Sequence, residues 1–318
     1  MKCCILGNTR LNYSWFVKTF TEGLQLNDCE VIHIDYKTNT IDSIKDLLIY
    51  HKPLYTFTHL TFHQFHDKYK MLQLFSDLSK QYDMKFIHTC GDARSIDRYN
   101  DDISESFYAA FVGTYGLVEN GLKNWKIPTY YSPYASMTYD HITEPIKKLK
   151  YKNPVFTGNP DSHKDRKDFI TLLREYGVRL QIFKTQSSND MRNKTAELSS
   201  SALCILGLCT GYDVDGFIDV RPYQYLGTAA CMIMRKYKNM DDVIPDNLYY
   251  PFNTYDRKDA KYVKDAWQKI MKTDTWPMRC KAFRFIQRYH SSKVRLSNIL
   301  NVLEGKQDST KSTIKEFM

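Results

Sequence analysis

Three short stretches put chemically capable residues directly after apolar, strand-like runs. In PVFTGNPDSHKDRKDF (154–169) a strand meets Gly158, and Lys164 and Arg166 follow where a helix begins. Glycine lets backbone approach a ligand closely, and a helix N-terminus with nearby cations suits a diphosphate. The same pattern also describes an ordinary strand–helix turn with a solvated helix face. In FIDVRPYQYLGTAACMI (217–233) Arg221 stands at the start of a short helix, with Pro222 expected at the first helical position. A guanidinium there can hold phosphate oxygens bidentately, and Gln224 can hydrogen-bond sugar hydroxyls. The bland alternative is an arginine that satisfies strand-end carbonyls. The preceding GYDVDGFID (211–219) reads as a flexible lip. In FIHTCGDARSIDRYNDD (86–102) Asp92 and Arg94 follow a buried strand. A carboxylate so placed can act as general base on a hydroxyl, or simply cap a helix.

Other chemistry is weaker. His59, His63 and His66 have a spacing that can gather a metal, but no acidic partner accompanies them, and they read as a strand end and helix start. There is no G-x-G-x-x-G, P-loop, H-E-x-x-H or G-x-S-x-G, and no D-x-D pair sits convincingly after a strand of the second half. No metal is expected, and a divalent cation is compatible but not called for. His88 and Cys90 share a strand face with nothing to orient them as a base and nucleophile. Within WPMRCKAFRFIQRYHSSKVR (276–295), Arg279, Lys281, Arg284 and Arg288 can contact nucleic acid or form the polar side of an amphipathic helix.

These residues need a scaffold, and 318 residues suit two domains better than one core. Strand-like runs at 3–6, 30–35, 54–60 and 85–90 alternate with helical segments near 13–26, 41–50 and 64–81. Two more strand–helix turns fit 107–134. The order repeats with strands at 154–157, 179–183, 202–208, 230–235 and 248–252, and helices at 163–176, 190–200, 256–273 and 278–303. Alternation of this kind predicts α/β architecture with two doubly wound, Rossmann-like parallel sheets facing a cleft. The expected domains are 1–145 and 154–305, joined by the polar, basic 143–153, with 306–318 a polar tail.

Residues 1–150 are charge-neutral, with 17 basic and 17 acidic side chains, so the whole +9 lies in 151–318. That half faces an anionic partner or carries a solvated basic surface. A mean hydropathy of −0.51 describes a soluble chain, and no apolar run approaches the roughly 18 residues of a membrane span. MKCCILGNTR reads as a first strand, not a signal peptide, and the eight cysteines, without a C-x-x-C pair, read as reduced thiols of a cytoplasmic protein.

In order, these motifs resemble the GT-B glycosyltransferases, in particular the DNA β-glucosyltransferases of T-even phages and, more broadly, the CgeB-like group. KFIHTCGDARS is similar to the family's strand followed by Asp-x-Arg; PTYYSPYASMTYDHITE resembles the end of its N-terminal domain. The ungapped stretch 154–184 looks like its strand, glycine turn, helix and further strand, and GFIDVRPYQYLGTAACMIM like its donor-site strand and helix. Similarity is weaker near Gly7-Asn8 and in the C-terminal helices.

The resemblance implies an inverting sugar transfer from a nucleotide donor, a UDP-sugar, to a hydroxyl. Asp92 would be the catalytic base with Arg94 beside the acceptor. Arg221 and the Gly158 backbone N–H would hold the diphosphate, with Gly7, Lys164 and Arg166 nearby. The family's ribose-binding glutamate falls on Gln224, and its glycine-loop arginines do not align, so the resemblance does not fix the sugar. The implied acceptor is a 5-hydroxymethyl-pyrimidine in double-stranded phage DNA, met by a monomer in the infected host's cytoplasm. A polysaccharide, protein or small-molecule acceptor, or a nucleotide-binding module without transferase activity, are the alternatives.

Overall fold

Nearly continuous apolar runs become parallel strands, and the segments with a 3.6-residue apolar period become the helices that cover them. The computed structural model describes residues 1–7, 15–58, 67–90, 103, 105–136, 147–184, 197–208 and 214–307. Two compact units emerge: Met1–Tyr134 with Val214–Phe217 and Ser292–Met318, and Ala135–Asp213 with Ile218–Ser291.

The first unit runs β1 (Lys2–Gly7), α1 (Trp15–Gln25), β2 (Glu30–Asp35), α2 (Ile41–His51), β3 (Tyr55–Thr58), α3 (Lys68–Tyr82) and β4 (Lys85–Cys90). It continues with β5 (Ala109–Val112), α4 (Tyr115–Asn120), a π-helical turn and β6 (Thr129–Tyr131). The sheet order is β2-β1-β3-β4-β5-β6, and every pairing is parallel. Thr40 and Asp67 cap α2 and α3, accepting from the backbone N–H of Ser43 at 3.2 Å and of Lys70 at 3.1 Å. One face of the sheet buries Cys3, Ile5, Phe57, Ile87 and Phe111 against Phe16, Phe20 and Leu24 of α1.

The second unit runs β7 (Val155–Thr157), α5 (Lys164–Glu175), β8 (Gln181–Phe183), the helical residues 197–201 (α6), β9 (Ile205–Gly207) and α7 (Val220–Leu226). It ends with β10 (Met232–Arg235), β11 (Tyr250–Phe252), α8 (Arg257–Lys272) and α9 (Trp276–His290). Its order is β11-β10-β9-β7-β8, again all parallel. Phe156, Leu206, Ile233 and Phe252 of the sheet pack with Phe169 and Leu173 of α5 and Val263 and Ile270 of α8.

The expected helix 278–303 is two helices, and this moves a domain boundary. The chain is extended at Ser291 (φ −71°, ψ 158°), and α10 (Ser292–Leu303) starts afresh. Leu296, Ile299, Leu300 and Leu303 of α10 join the core built by Phe20 and Leu24, so α10 belongs to the first unit. The divisions 1–145 and 154–305 therefore give way to units in which the chain returns. Gly23 makes the α1–α10 approach possible: a Cβ there would lie 2.6 Å from the Ser292 carbonyl oxygen.

All seven described cysteines are free thiols, and only Cys280 is not fully buried. Burial holds the Cys231 thiol up at about 12. Among the described residues no helix is long and apolar enough to cross a membrane.

Candidate functional site

In the second unit, β7 ends at Thr157 and the chain turns at Gly158, whose φ of +126° only glycine adopts readily. The Gly158 N–H donates to the Phe183 carbonyl at 3.0 Å, extending the β7–β8 ladder. That N–H is engaged in the sheet, which corrects the expectation that it is offered to a diphosphate. What Gly158 supplies instead is the turn itself, which its positive φ permits. A Cβ on it would lie 3.4 Å from Nη2 and 3.8 Å from Cζ of Arg221, so the guanidinium packs at van der Waals distance over the turn.

The loop that follows is organised from within. Asn159 Oδ1 accepts from the Asp161 N–H at 3.0 Å, and Ser162 Oγ donates to the Asn159 carbonyl at 3.0 Å. Arg166, only 4% exposed, donates through Nη1 to that carbonyl at 3.1 Å and to Ser162 Oγ at 2.6 Å. Its guanidinium also stands 5.6 Å from the centre of the Phe156 ring. This places Arg166 as the brace of the glycine loop. Lys164 is the exposed first residue of α5, and His163, at the N-cap, makes no side-chain cap to the first-turn amides.

Helix α7 begins two residues before the expected start. Asp219 caps it, accepting from the Val220 N–H at 2.6 Å, so Arg221 is the second helical residue and Pro222 the third. Proline is still tolerated there because first-turn N–H groups have no intrahelical acceptor. Arg221 and Gln224, three residues apart, share the half-buried face, while Pro222, Tyr223, Tyr225 and Leu226 are buried. Sequence reading passed over Tyr225. Its hydroxyl hydrogen-bonds the Thr157 hydroxyl at the end of β7, across 68 residues of chain, and no local signal announces such a pair.

Arg279 is removed from the candidate nucleic-acid contacts. It is 1% exposed and donates to the carbonyls of Ala229, at 2.7 Å through Nε, and Ser200, at 2.5 Å through Nη2. Lys281, Arg284 and Arg288 remain exposed on α9. The expected lip is partly anchored within the first unit. Tyr131 Oη donates to the Gly216 carbonyl at 2.7 Å, and the Tyr115 N–H to that of Asp215 at 3.1 Å.

Chain order fixes where a ligand is expected in each sheet. From β7 the chain passes to β8 on one side, then to β9, β10 and β11 on the other. Sheets of this type bind ligands beyond the carboxyl ends of the strands where the order reverses, here β7 and β9. Gly158 follows β7, and α7, which carries Arg221 and Gln224, packs on β9. In the first unit the reversal falls between β1 and β3, and Gly7 is the last residue of β1. A Cβ on Gly7 would come within 3.0 Å of Val17 Cγ2, so the glycine makes room for α1. Asp92 and Arg94 lie outside the described residues, as do His59, His63 and His66; β4 ends two positions before Asp92. His88 is buried, edge-on to Phe107 and Trp125. Among the described residues no cluster of His, Cys, Asp and Glu is able to hold a metal.

No protein-family model and no curated protein matches the chain. Solved structures do match. Sucrose-phosphate synthase of Thermosynechococcus elongatus aligns with a TM-score of 0.62 and 11% identity, covering 96% of this chain and 100% of that one. Anabaena Alr3699/HepE in complex with UDP aligns with a TM-score of 0.59 and 8% identity, covering 96% and 100%. The chain has the GT-B fold. At such identities the likeness extends to the GT-B fold alone. The DNA-modifying β-glucosyltransferase aligns with a TM-score of 0.48 and 12% identity over 91% of this chain and 98% of that one, too loosely to carry an argument.

Proposed function

We propose that this GT-B chain is a nucleotide-sugar-dependent glycosyltransferase. One observation carries the reading: a half-buried arginine lies against a side-chain-free glycine turn, at the strand ends where its sheet reverses order. A guanidinium there suits a diphosphate, and Gln224, one turn along α7, suits the hydroxyls of a ribose. Lys164, at the open start of α5, adds positive charge. A UDP-sugar is the proposed donor, in keeping with the UDP held by the HepE structure of the same fold.

In the proposed reaction the acceptor hydroxyl oxygen bonds to the anomeric carbon as the bond from that carbon to the diphosphate breaks, with inversion. Asp92 takes the hydroxyl proton, and Arg94 lies on the acceptor side. Arg221 stabilises the charge that builds on the departing diphosphate. The proposed acceptor is a 5-hydroxymethyl-pyrimidine in duplex DNA, reached by base flipping. The sequence resemblance and the +9 charge of residues 151–318 support it.

The test is a transfer assay with mixed UDP-sugars and duplex DNA containing 5-hydroxymethylcytosine or 5-hydroxymethyluracil, read by nucleoside mass spectrometry. The expected result is a hexose or pentose mass on the base, with turnover falling roughly 10²–10⁴-fold in Asp92→Asn while UDP still binds. UDP binding without added mass would move the acceptor to a polysaccharide, protein or small molecule. Full turnover in Asp92→Asn would remove the general-base role.

A further inference from the structure

Helix α7 has seven residues, well short of the roughly 12–15 an isolated helix needs even to be marginally stable, so its packing decides where Arg221 points. One side-chain tie between α7 and the strand that leads into the glycine turn is the hydrogen bond between the hydroxyls of Tyr225 and Thr157, which are 3% and 4% exposed. Thr157 immediately precedes Gly158, and Tyr225 lies four residues after Arg221, one helical turn along α7 and on its buried side. The pair therefore joins the two backbone segments that bring Arg221 and Gly158 together, one residue before the turn and one helical turn after the arginine. Behind it, the Tyr225 carbonyl accepts from Thr228 Oγ1 at 2.9 Å and from the Ala230 N–H at 2.9 Å.

We infer that Tyr225 and Thr157 are positioning residues for diphosphate binding, holding the Arg221 guanidinium in register with the Gly158 turn. The inference rests on the reading that Arg221 binds the donor diphosphate. Neither hydroxyl needs to touch the donor. Both are buried, and their effect passes through the orientation of α7. A guanidinium already aimed at its target binds without the cost of ordering it first.

The experiment titrates UDP by calorimetry into full-length protein, and measures melting temperature alongside. The variants are Tyr225→Phe, which keeps the ring and removes the hydroxyl, Thr157→Val, which keeps the shape, and their combination. All are made with Arg221 intact and with Arg221→Lys. With Arg221 intact, each single variant weakens UDP binding about 3–10-fold, and the double variant is no weaker than the worse single. In the Arg221→Lys background, which is already weakened, Tyr225→Phe causes no further loss. A merely structural pair would lower the melting temperature equally in both backgrounds and leave UDP affinity alone, which overturns the inference. So does an equal loss of affinity in both backgrounds. If Arg221→Lys weakens binding and neither hydroxyl variant does, the inference fails and the donor-site reading stands. If Arg221→Lys leaves affinity unchanged, the donor-site reading fails and takes the inference with it.

Discussion

Nη2 of Arg221 lies 3.4 Å from the point that a Cβ on Gly158 would occupy, so the guanidinium packs directly over the glycine turn. Gly158 is constrained by its φ of +126°, while a Cβ would meet the guanidinium only at ordinary contact distance. Gly158→Ala should therefore destabilise the protein by about 1–3 kcal/mol through backbone strain alone. It should also weaken UDP binding, because relief of that strain shifts the turn on which the guanidinium packs. Urea unfolding and a UDP titration measure the two effects. Wild-type affinity in a folded Gly158→Ala protein would show that the Gly158–Arg221 contact does not shape the site.

Arg279 makes a different prediction. Its guanidinium is buried and serves carbonyls at Ala229 and Ser200, on either side of the segment that contains α7. Burial pushes its pKa down from the usual arginine value, the cost of charge in a poorly solvated place. Arg279→Met keeps much of the volume but leaves two carbonyls without their donor. A loss of about 2–5 kcal/mol is expected. In chemical denaturation, a change under about 0.5 kcal/mol, the level of ordinary surface substitutions, would return Arg279 to the exposed cations of α9.

Gly23 sets two effects against each other. Alanine is favoured over glycine inside a helix by about 1 kcal/mol, so α1 alone would gain from Gly23→Ala. A Cβ there would meet the Ser292 carbonyl oxygen at 2.6 Å and the Leu296 side chain at 2.8 Å, and backbone cannot rotate away as a side chain can. Overpacking of this kind costs about 1–3 kcal/mol, so the clash is expected to win and the melting temperature to fall. A rise would mean that α1 and α10 sit farther apart than described.

Much of the scaffold was legible because its signals are local. The run KFIHTC matches β4 residue for residue, because a buried parallel strand advertises itself as a short apolar run between polar segments, and 30–35 matches the edge strand β2, whose Val31, Ile32 and Ile34 give a similar short run. The glycine turn after β7 and the short helix bearing Arg221 were readable for the same reason. Side-chain roles were less so. Arg166 and Arg221 look alike in sequence, each a cation in the first turn of a helix after a strand. One is 4% exposed and braces the Asn159–Ser162 turn; the other is half-buried over Gly158.

The sequence by itself determined the alternation of strand and helix, the two parallel sheets and the glycine that frees the turn after β7. Those follow from apolar spacing and backbone sterics within a few residues. Only the tertiary structure decided that α10 returns to the first unit, that Arg279 is internal, and that Thr157 and Tyr225 join hydroxyls across 68 residues. Such facts depend on which surfaces meet after the chain closes on itself, and nothing in the spacing of near neighbours encodes them.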